Sequence, residues 1–233
     1  MTNYPRYAIY YAPAPHSDLD RFGAEWLGYD AYQGADLPAG STGDIPDWRA
    51  LTGDPRKYGF HATLKAPMSL AAGKDEAALI GACESFAATP HDLPVIEPIV
   101  DSISGFIAII PSKPSDELQR LAADCVTAFD PFRAPLTPAD RERRNPSRLT
   151  PHQRDYLDAW GYPYVMEEFR FHMTLTGRLE TPRREQVVAM LRNRFAALKL
   201  ATLRIDRIAL FRQDDAMARF RIIGHWSLRG RDG

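Results

Sequence analysis

Phe60-His61-Ala62-Thr63-Leu64 is written twice in this chain, the second time as Phe171-His172-Met173-Thr174-Leu175, 111 residues further on. Both copies lie among strand-forming residues, and on a β-strand successive side chains point to opposite faces. His61 and Thr63 therefore share one face, and so do His172 and Thr174. Phe60, Ala62 and Leu64, like Phe171, Met173 and Leu175, share the other. The alternation predicts two strands, each with an apolar face for a core and a polar face that presents an imidazole and a hydroxyl. The same parity puts Lys65 beside His61 and Thr63, and Arg170 and Thr176 beside His172 and Thr174, while Tyr58 falls on the apolar side.

Working outward, Tyr7–Ala12 reads as a buried first strand, and Ser17 or Asp18 caps a helix that carries Leu19, Phe22 and Trp26 at helical spacing. Residues 33–46, with Gly34, Pro38, Gly40, Gly43 and Pro46, read as loop, and Trp48 and Leu51 as a short turn. The first His strand is expected over Tyr58–Leu70, a helix over Asp75–Ala88, a hairpin turning at Ser104-Gly105, and a helix over Ser115–Phe129. Residues 130–165 combine prolines with arginines, among them Arg133, Arg141, Arg143, Arg144 and Arg148, and include a short helix near Thr150–Ala159. The bland reading of that stretch is a solvated connection; the sharper one is a flap over an anionic substrate. The second His strand is expected over Glu168–Leu179, then a helix to about Leu198 and two closing strands, Thr202–Arg212 and Ala218–Leu228. Each half thus runs His strand, helix, strand, turn, strand, a pseudo-repeat. It predicts one bilobal α+β domain over residues 1–233, with antiparallel-rich sheets, outer helices and the His strands adjoining in a central cleft. The lobes are expected from residues 1–130 and 165–233, joined by 130–165.

Composition narrows the function classes. The 233 residues are 45% hydrophobic and 25% charged, with a formal net charge of −1, so no global basic field recruits long nucleic acid or an anionic membrane. No stretch approaches membrane-spanning length, and the apolar run Tyr7–Ala12 ends at Pro13 and Pro15, too short for a signal peptide. Cys83 and Cys125 fall in helical stretches and read as reduced thiols, which with the rest predicts a cytoplasmic protein.

Two imidazoles facing one substrate can divide proton transfer, one as general base and one as general acid. The hydroxyls of Thr63 and Thr174 can donate to non-bridging phosphoryl oxygens as charge develops there. Two His-x-Thr units therefore suit a tetrahedral phosphate, with Lys65 and Arg170 as candidate cations for it. They suit a metal less well: no matching carboxylate or cysteine spacing accompanies them, and neither a metal nor a cofactor is expected. His16, His91, His152 and His225 lack a partner pattern and read as loop or surface residues. Trp48, Trp160 and Tyr164 could stack on a base, although aromatic side chains more often belong to cores.

The pair His61-Ala62-Thr63-Leu64 and His172-Met173-Thr174-Leu175 resembles the signature of the two-histidine (2H) phosphoesterase superfamily. The phrases Lys57–Pro67, Trp160–Val165 and Phe169–Thr176 resemble a bacterial branch encoded among phosphonate-utilisation genes. The resemblance covers most of the chain. It implies a duplicated α+β fold and metal-independent action on cyclic or linear phosphodiesters, with His61, His172, Thr63 and Thr174 as the catalytic set. It also implies a small phosphorylated substrate, such as a ribose cyclic phosphate. Two other readings remain open from the sequence: a binding module that senses a phosphorylated metabolite, and an enzyme acting on RNA 2′,3′-cyclic phosphate ends.

Overall fold

A computed structural model describes residues 3–38, 42 and 45–231, so Gly40 and Gly43 of the expected loop lie outside the described residues. In chain order the principal elements are strand β1 (Arg6–Tyr11), helices α1 (Asp18–Leu27) and α2 (Trp48–Arg56), strand β2 (Ala62–Ser69) and helix α3 (Glu76–Ala88). Strands β3 (Pro98–Ile103) and β4 (Phe106–Pro111) follow, then helices α4 (Asp116–Phe129), α5 (Pro138–Glu142) and α6 (Pro151–Trp160). The chain closes with strand β5 (Met173–Thr174), helix α7 (Thr181–Ala196) and strands β6 (Arg207–Gln213) and β7 (Arg221–Ser227). Local signals account for many of the boundaries. The side chains of Ser17, Asp75 and Ser115 accept hydrogen bonds from the first turns of α1, α3 and α4, and Thr150 with Gln153 forms a capping box on α6. Ser104 and Gly105 both take positive φ, 51° and 90°, the left-handed pair that a two-residue hairpin turn requires.

Seven strands form one sheet in the order β7-β6-β1-β2-β5-β4-β3, and every neighbouring pair is antiparallel. The expected α+β class holds, and the two lobes' sheets are continuous through the His strands, where Ala62 pairs with Met173. The pairing does not follow the division of the chain at 130–165. The hairpin β3–β4, which follows the first His strand, pairs with the second one (Ala108 with Thr174). The hairpin β6–β7, which follows the second, pairs with β1 beside the first. Strand pattern is local but choice of partner is not, and the sequence order concealed this exchange.

The sheet's two faces differ. Tyr7, Ile9 and Tyr11 point into the main core with Trp26, Leu79, Phe129 and Leu191 from α1, α3, α4 and α7. Ala8, Tyr10 and Ala12 point the other way, into a smaller cluster with Ala209, Phe211 and Phe220. As expected, Phe60, Ala62 and Leu64, with Phe171, Met173 and Leu175, belong to the main core; a buried apolar side chain of this size is worth roughly 1.5–3 kcal/mol. Among the described residues, no helix is long and apolar enough to cross a membrane.

Where a short turn is expected at Trp48–Leu51, the chain makes the nine-residue helix α2, with Pro55 in its last turn. Proline has no N–H, so the carbonyl four residues back lacks its helical donor. That carbonyl, Leu51 O, accepts instead from Gly177 N at 2.8 Å, just beyond the second His strand. Trp26 Nε1 of α1 donates to Leu175 O at 2.7 Å, so two helices from the N-terminal part hold the second His stretch. A Cβ on Gly23 of α1 would lie 1.9 Å from the Phe60 ring, a close approach that only glycine allows.

Candidate active site

His61 enters the site from just before β2. Its Nδ1 donates to the carbonyl of Gly59, two residues upstream, at 2.9 Å. Gly59 itself has φ +75°, and a Cβ there would meet Ala31 at 2.7 Å. With Nδ1 protonated, Nε2 carries the lone pair; it lies 3.4 Å from the Thr63 hydroxyl. The ring stacks on buried Tyr10, with centroids 3.8 Å apart and planes 19° from parallel. Burial pushes the His61 imidazole down to about 4, the Gly59 carbonyl opposes that shift, and His172 adds to it. The two imidazoles therefore feel each other.

His172 repeats the arrangement: its Nδ1 donates to Arg170 O, again two residues upstream, at 2.6 Å. Its ring packs against Phe106 at 5.5 Å. Burial lowers its basicity as well, and the Arg170 carbonyl opposes the shift. The strand around it is shorter than the expected Glu168–Leu179, because only Met173 and Thr174 are in the ladder. A 3₁₀ turn, Met166–Glu168, and extended backbone lead in. Thr176, which also borders the cleft, is buried; its hydroxyl accepts from Ile107 N at 3.0 Å and donates to Gly177 O at 2.8 Å, so it fastens backbone at the cleft's edge.

His61, Thr63, His172 and Thr174 all line one cavity of about 570 Å³. Tyr10, Tyr58, Trp160 and Tyr162 supply aromatic walls, and Arg6, Arg133, Arg143, Arg144 and Arg178 supply charge. Two of these arginines are neutralised: Arg133 donates to Asp130 (Nε at 2.7 Å), and Arg143 pairs with Asp140. Arg6, Arg144 and Arg178 have no carboxylate partner among the described residues. Arg6 donates from Nε to Gln213 at 3.0 Å and lies over the Tyr4 and Phe220 rings, and Arg144 lies over Tyr162. Beyond His172 and Phe106 a second cavity of about 330 Å³ opens, lined in part by Tyr164, Arg170 and Arg178.

The structure thus gathers the four His and Thr residues and puts exposed Arg170 at the neighbouring cavity. It does not put Lys65 in either. Tyr10 pairs with Thr63 but Ile9 pairs with Lys65, so β2 advances two residues where β1 advances one. This β-bulge breaks the alternation and turns Lys65 under the sheet. Its amine donates to Asp130 Oδ1 at 2.6 Å and to Val126 O at 3.3 Å, at the C-terminal end of α4. Burial lowers the basicity of Lys65, and Asp130 opposes that shift; the same carboxyl is held below its usual range by Arg133 and Lys65 against the cost of burial. Lys65 is therefore a buried structural cation, contrary to the substrate-binding role its parity suggests.

Tyr58 is displaced the other way. It precedes β2, stacks on Phe220 at 5.3 Å and lines the cleft, packing against the smaller cluster rather than joining the main core. Trp48 is buried with its indole donating to Trp26 O, so it is structural. Arg6, Arg178 and Tyr10 escaped the sequence reading, although Arg178 stands at the even spacing His172, Thr174, Thr176, Arg178. Residues 130–165 are more than a solvated connection, since Arg133, Arg144, Trp160 and Tyr162 form one wall of the cleft. The remaining histidines are elsewhere: His91, for example, is buried 2.8 Å from Phe86 O, and His152 lies 3.3 Å from Glu167.

A family model described as "Protein of unknown function (DUF1045)" matches residues 63–221. A "Ribose 1,5-bisphosphate phosphokinase PhnN" of Janthinobacterium sp. (strain Marseille) is 39% identical over 176 residues, 75% of this chain and 39% of that protein. A protein of the same name from Laribacter hongkongensis (strain HLHK9) is 31% identical over 226 residues, 93% of this chain and 50% of that protein. The chain thus spans half or less of the length of these curated relatives. Among solved structures, E. coli LigT complexed with NADP+ aligns with 97% of this chain and 98% of its own, at 12% identity and a TM-score of 0.46. A structure described as a phosphoesterase aligns with 97% and 99%, at 11% identity and a TM-score of 0.41.

Proposed function

The chain belongs to the DUF1045 family, and from its two-histidine cleft we propose that it is a metal-independent phosphodiesterase acting on a small cyclic or linear diester. The observation that carries this reading is the matched tautomer of the two imidazoles. Each uses Nδ1–H on the backbone carbonyl two residues upstream, which leaves Nε2 for proton transfer, that of His61 3.4 Å from the Thr63 hydroxyl, in a cavity that Thr174 also lines. His61, the more strongly depressed of the two, is the general base, and His172 the general acid. Water gives a proton to His61 Nε2 as its oxygen bonds to phosphorus; the opposite P–O bond breaks, and the leaving oxygen takes the proton from His172 Nε2. Thr63 and Thr174 donate to the non-bridging oxygens, and Arg178 offsets their charge.

The relatives' name supports a ribosyl phosphodiester as substrate. Hydrolysis of such a diester releases a phosphorylated ribose, the kind of compound on which a ribose bisphosphate kinase acts. The resemblance to the phosphonate-linked branch agrees with a small substrate of this class.

The test is turnover of 2′,3′-cyclic nucleotides, ribose cyclic phosphates and bis(p-nitrophenyl) phosphate in EDTA, with His61→Ala and His172→Ala alongside the wild type. On the diesters whose leaving oxygen needs a proton, loss of either proton-transfer group is expected to lower kcat by about 10²- to 10⁴-fold. Activity that vanishes in EDTA and returns with zinc or manganese would overturn the metal-free reading. Tight binding without turnover, unchanged by either substitution, would favour a sensor.

A further inference from the structure

Five arginines line the cleft against two carboxylates, Asp54 and Asp140, and with Arg133 also held by Asp130 the positive charge left over exceeds what one phosphodiester can satisfy. A diester carries a single negative charge, and Thr63, Thr174 and Arg178 already face it in the proposed mechanism. Arg6 and Arg144 are left over. Both are half-buried, both line the cavity, and neither has a carboxylate partner among the described residues. Two guanidinium groups that border one cavity with no carboxylate partner leave their charge and N–H donors available to an anion.

Their setting has the features of a built site. The Arg6 guanidinium lies 5.4 Å from the Tyr4 and Phe220 ring centroids and is oriented by Gln213. The Arg144 guanidinium lies 4.9 Å from the Tyr162 centroid. Stacking fixes the plane of a guanidinium while leaving N–H groups on its edge to donate, the arrangement that suits a phosphate. Both arginines also act electrostatically on buried Tyr10, the residue stacked on His61, so they converge on the His61 side of the cleft. Arg178, by contrast, lines both the main cavity and the one beyond His172. The cleft is therefore charged at two places.

We propose that Arg6 and Arg144 form a second anion subsite, and that the substrate is a phosphodiester bearing a separate terminal phosphate on its His61 side. A phosphomonoester carries about −1.5 to −2 charges at neutral pH, which matches two guanidiniums. This assignment rests on the phosphodiesterase reading and narrows its substrate. Because Arg144 comes from residues 130–165, that segment sets which diesters are accepted.

The test compares ribose 1,2-cyclic phosphate with its 5-phosphorylated form, for wild type, Arg6→Gln, Arg144→Gln and the double variant, with thermal melts as a fold control. Wild type is expected to prefer the 5-phosphorylated diester in kcat/KM. Each substitution is expected to cut that preference by about 10- to 100-fold, the effect of losing one charge-assisted hydrogen bond. Turnover of the unphosphorylated diester should stay within about threefold of wild type, since its reacting group touches neither arginine. Equal losses on both diesters, or a preference that survives in the double variant, would overturn the subsite. Calorimetric binding of the same two compounds separates the two claims. A binding preference that depends on Arg6 and Arg144 without any turnover keeps the subsite and removes the hydrolase. No binding preference in the wild type removes the subsite.

Discussion

The two copies of the Phe-His-x-Thr-Leu phrase have the same local chemistry and different surroundings. In each, Nδ1 is held by the carbonyl two residues upstream, a feature local enough to be repeated with the phrase itself. Beyond that they diverge. His61 is stacked face to face on Tyr10 and precedes an eight-residue strand paired along β1. His172 touches Phe106 at a tilt and precedes a strand of two residues. Four residues after the histidine, the first copy has Lys65, tied to Asp130, and the second has Thr176, tied to the backbone of Ile107. Repetition supplies two imidazoles; the different environments give them different basicities, as the proposed division into base and acid requires.

The sharpest way to break that comparison is a change of leaving group. A p-nitrophenolate departs without a proton, so with bis(p-nitrophenyl) phosphate His172→Ala should lose less than about tenfold, while His61→Ala keeps its loss of 10² or more. Equal losses in both variants would dissolve the division of roles. Next in size is the pair of anchors. Asp130→Asn leaves the Lys65 ammonium buried without its counter-charge and should cost on the order of 2 kcal/mol in urea unfolding, whereas Thr176→Val should cost about 1 kcal/mol. A costlier Thr176→Val would show that the shorter strand depends more on its anchor than the longer one.

The smallest effect is in pH dependence. The proposed mechanism requires His61 neutral and His172 protonated in the free protein, and burial holds both below the ordinary 6.5. Its population peaks between the two values, so kcat/KM should be greatest on the acid side of pH 6.5 and fall as pH rises through the value of His172. Replacing Tyr10 with alanine exposes His61, raises its basicity and should move only the acid limb to higher pH. A shift of the alkaline limb instead would reverse the assignment of base and acid.

Much of this site was legible because its information is local. The parity of His61 with Thr63 and of His172 with Thr174, the helix starts at Ser17, Asp75 and Ser115, and the Ser104-Gly105 turn each depend on a few adjacent residues. What parity could not show is where parity fails. The bulge after Thr63 arises from the pairing with β1, so Lys65 was read onto the wrong face, and the left-handed turn at Gly59 put Tyr58 in the cleft. A short turn was expected at Trp48 and Leu51, yet the chain makes a helix there, and the carbonyl that Pro55 frees is taken by Gly177, a partner 126 positions from Leu51. Arg6 became visible, and Arg144 stood out from its arginine cluster, only once β1 and residues 130–165 were seen to border one cavity.

The exchange of hairpins also bears on the order in which the protein can assemble during synthesis. When β1 and β2 have emerged they can pair with each other, but both outer edges of that pair are open. β2 waits for β5, and β1 waits for β6, which begins at Arg207. Hairpin β3–β4 likewise has no edge to join until Met173 arrives. Open edges invite pairing with other chains, and contacts this distant in sequence close slowly. The cleft therefore comes together only after the second His stretch, through Arg178, has emerged.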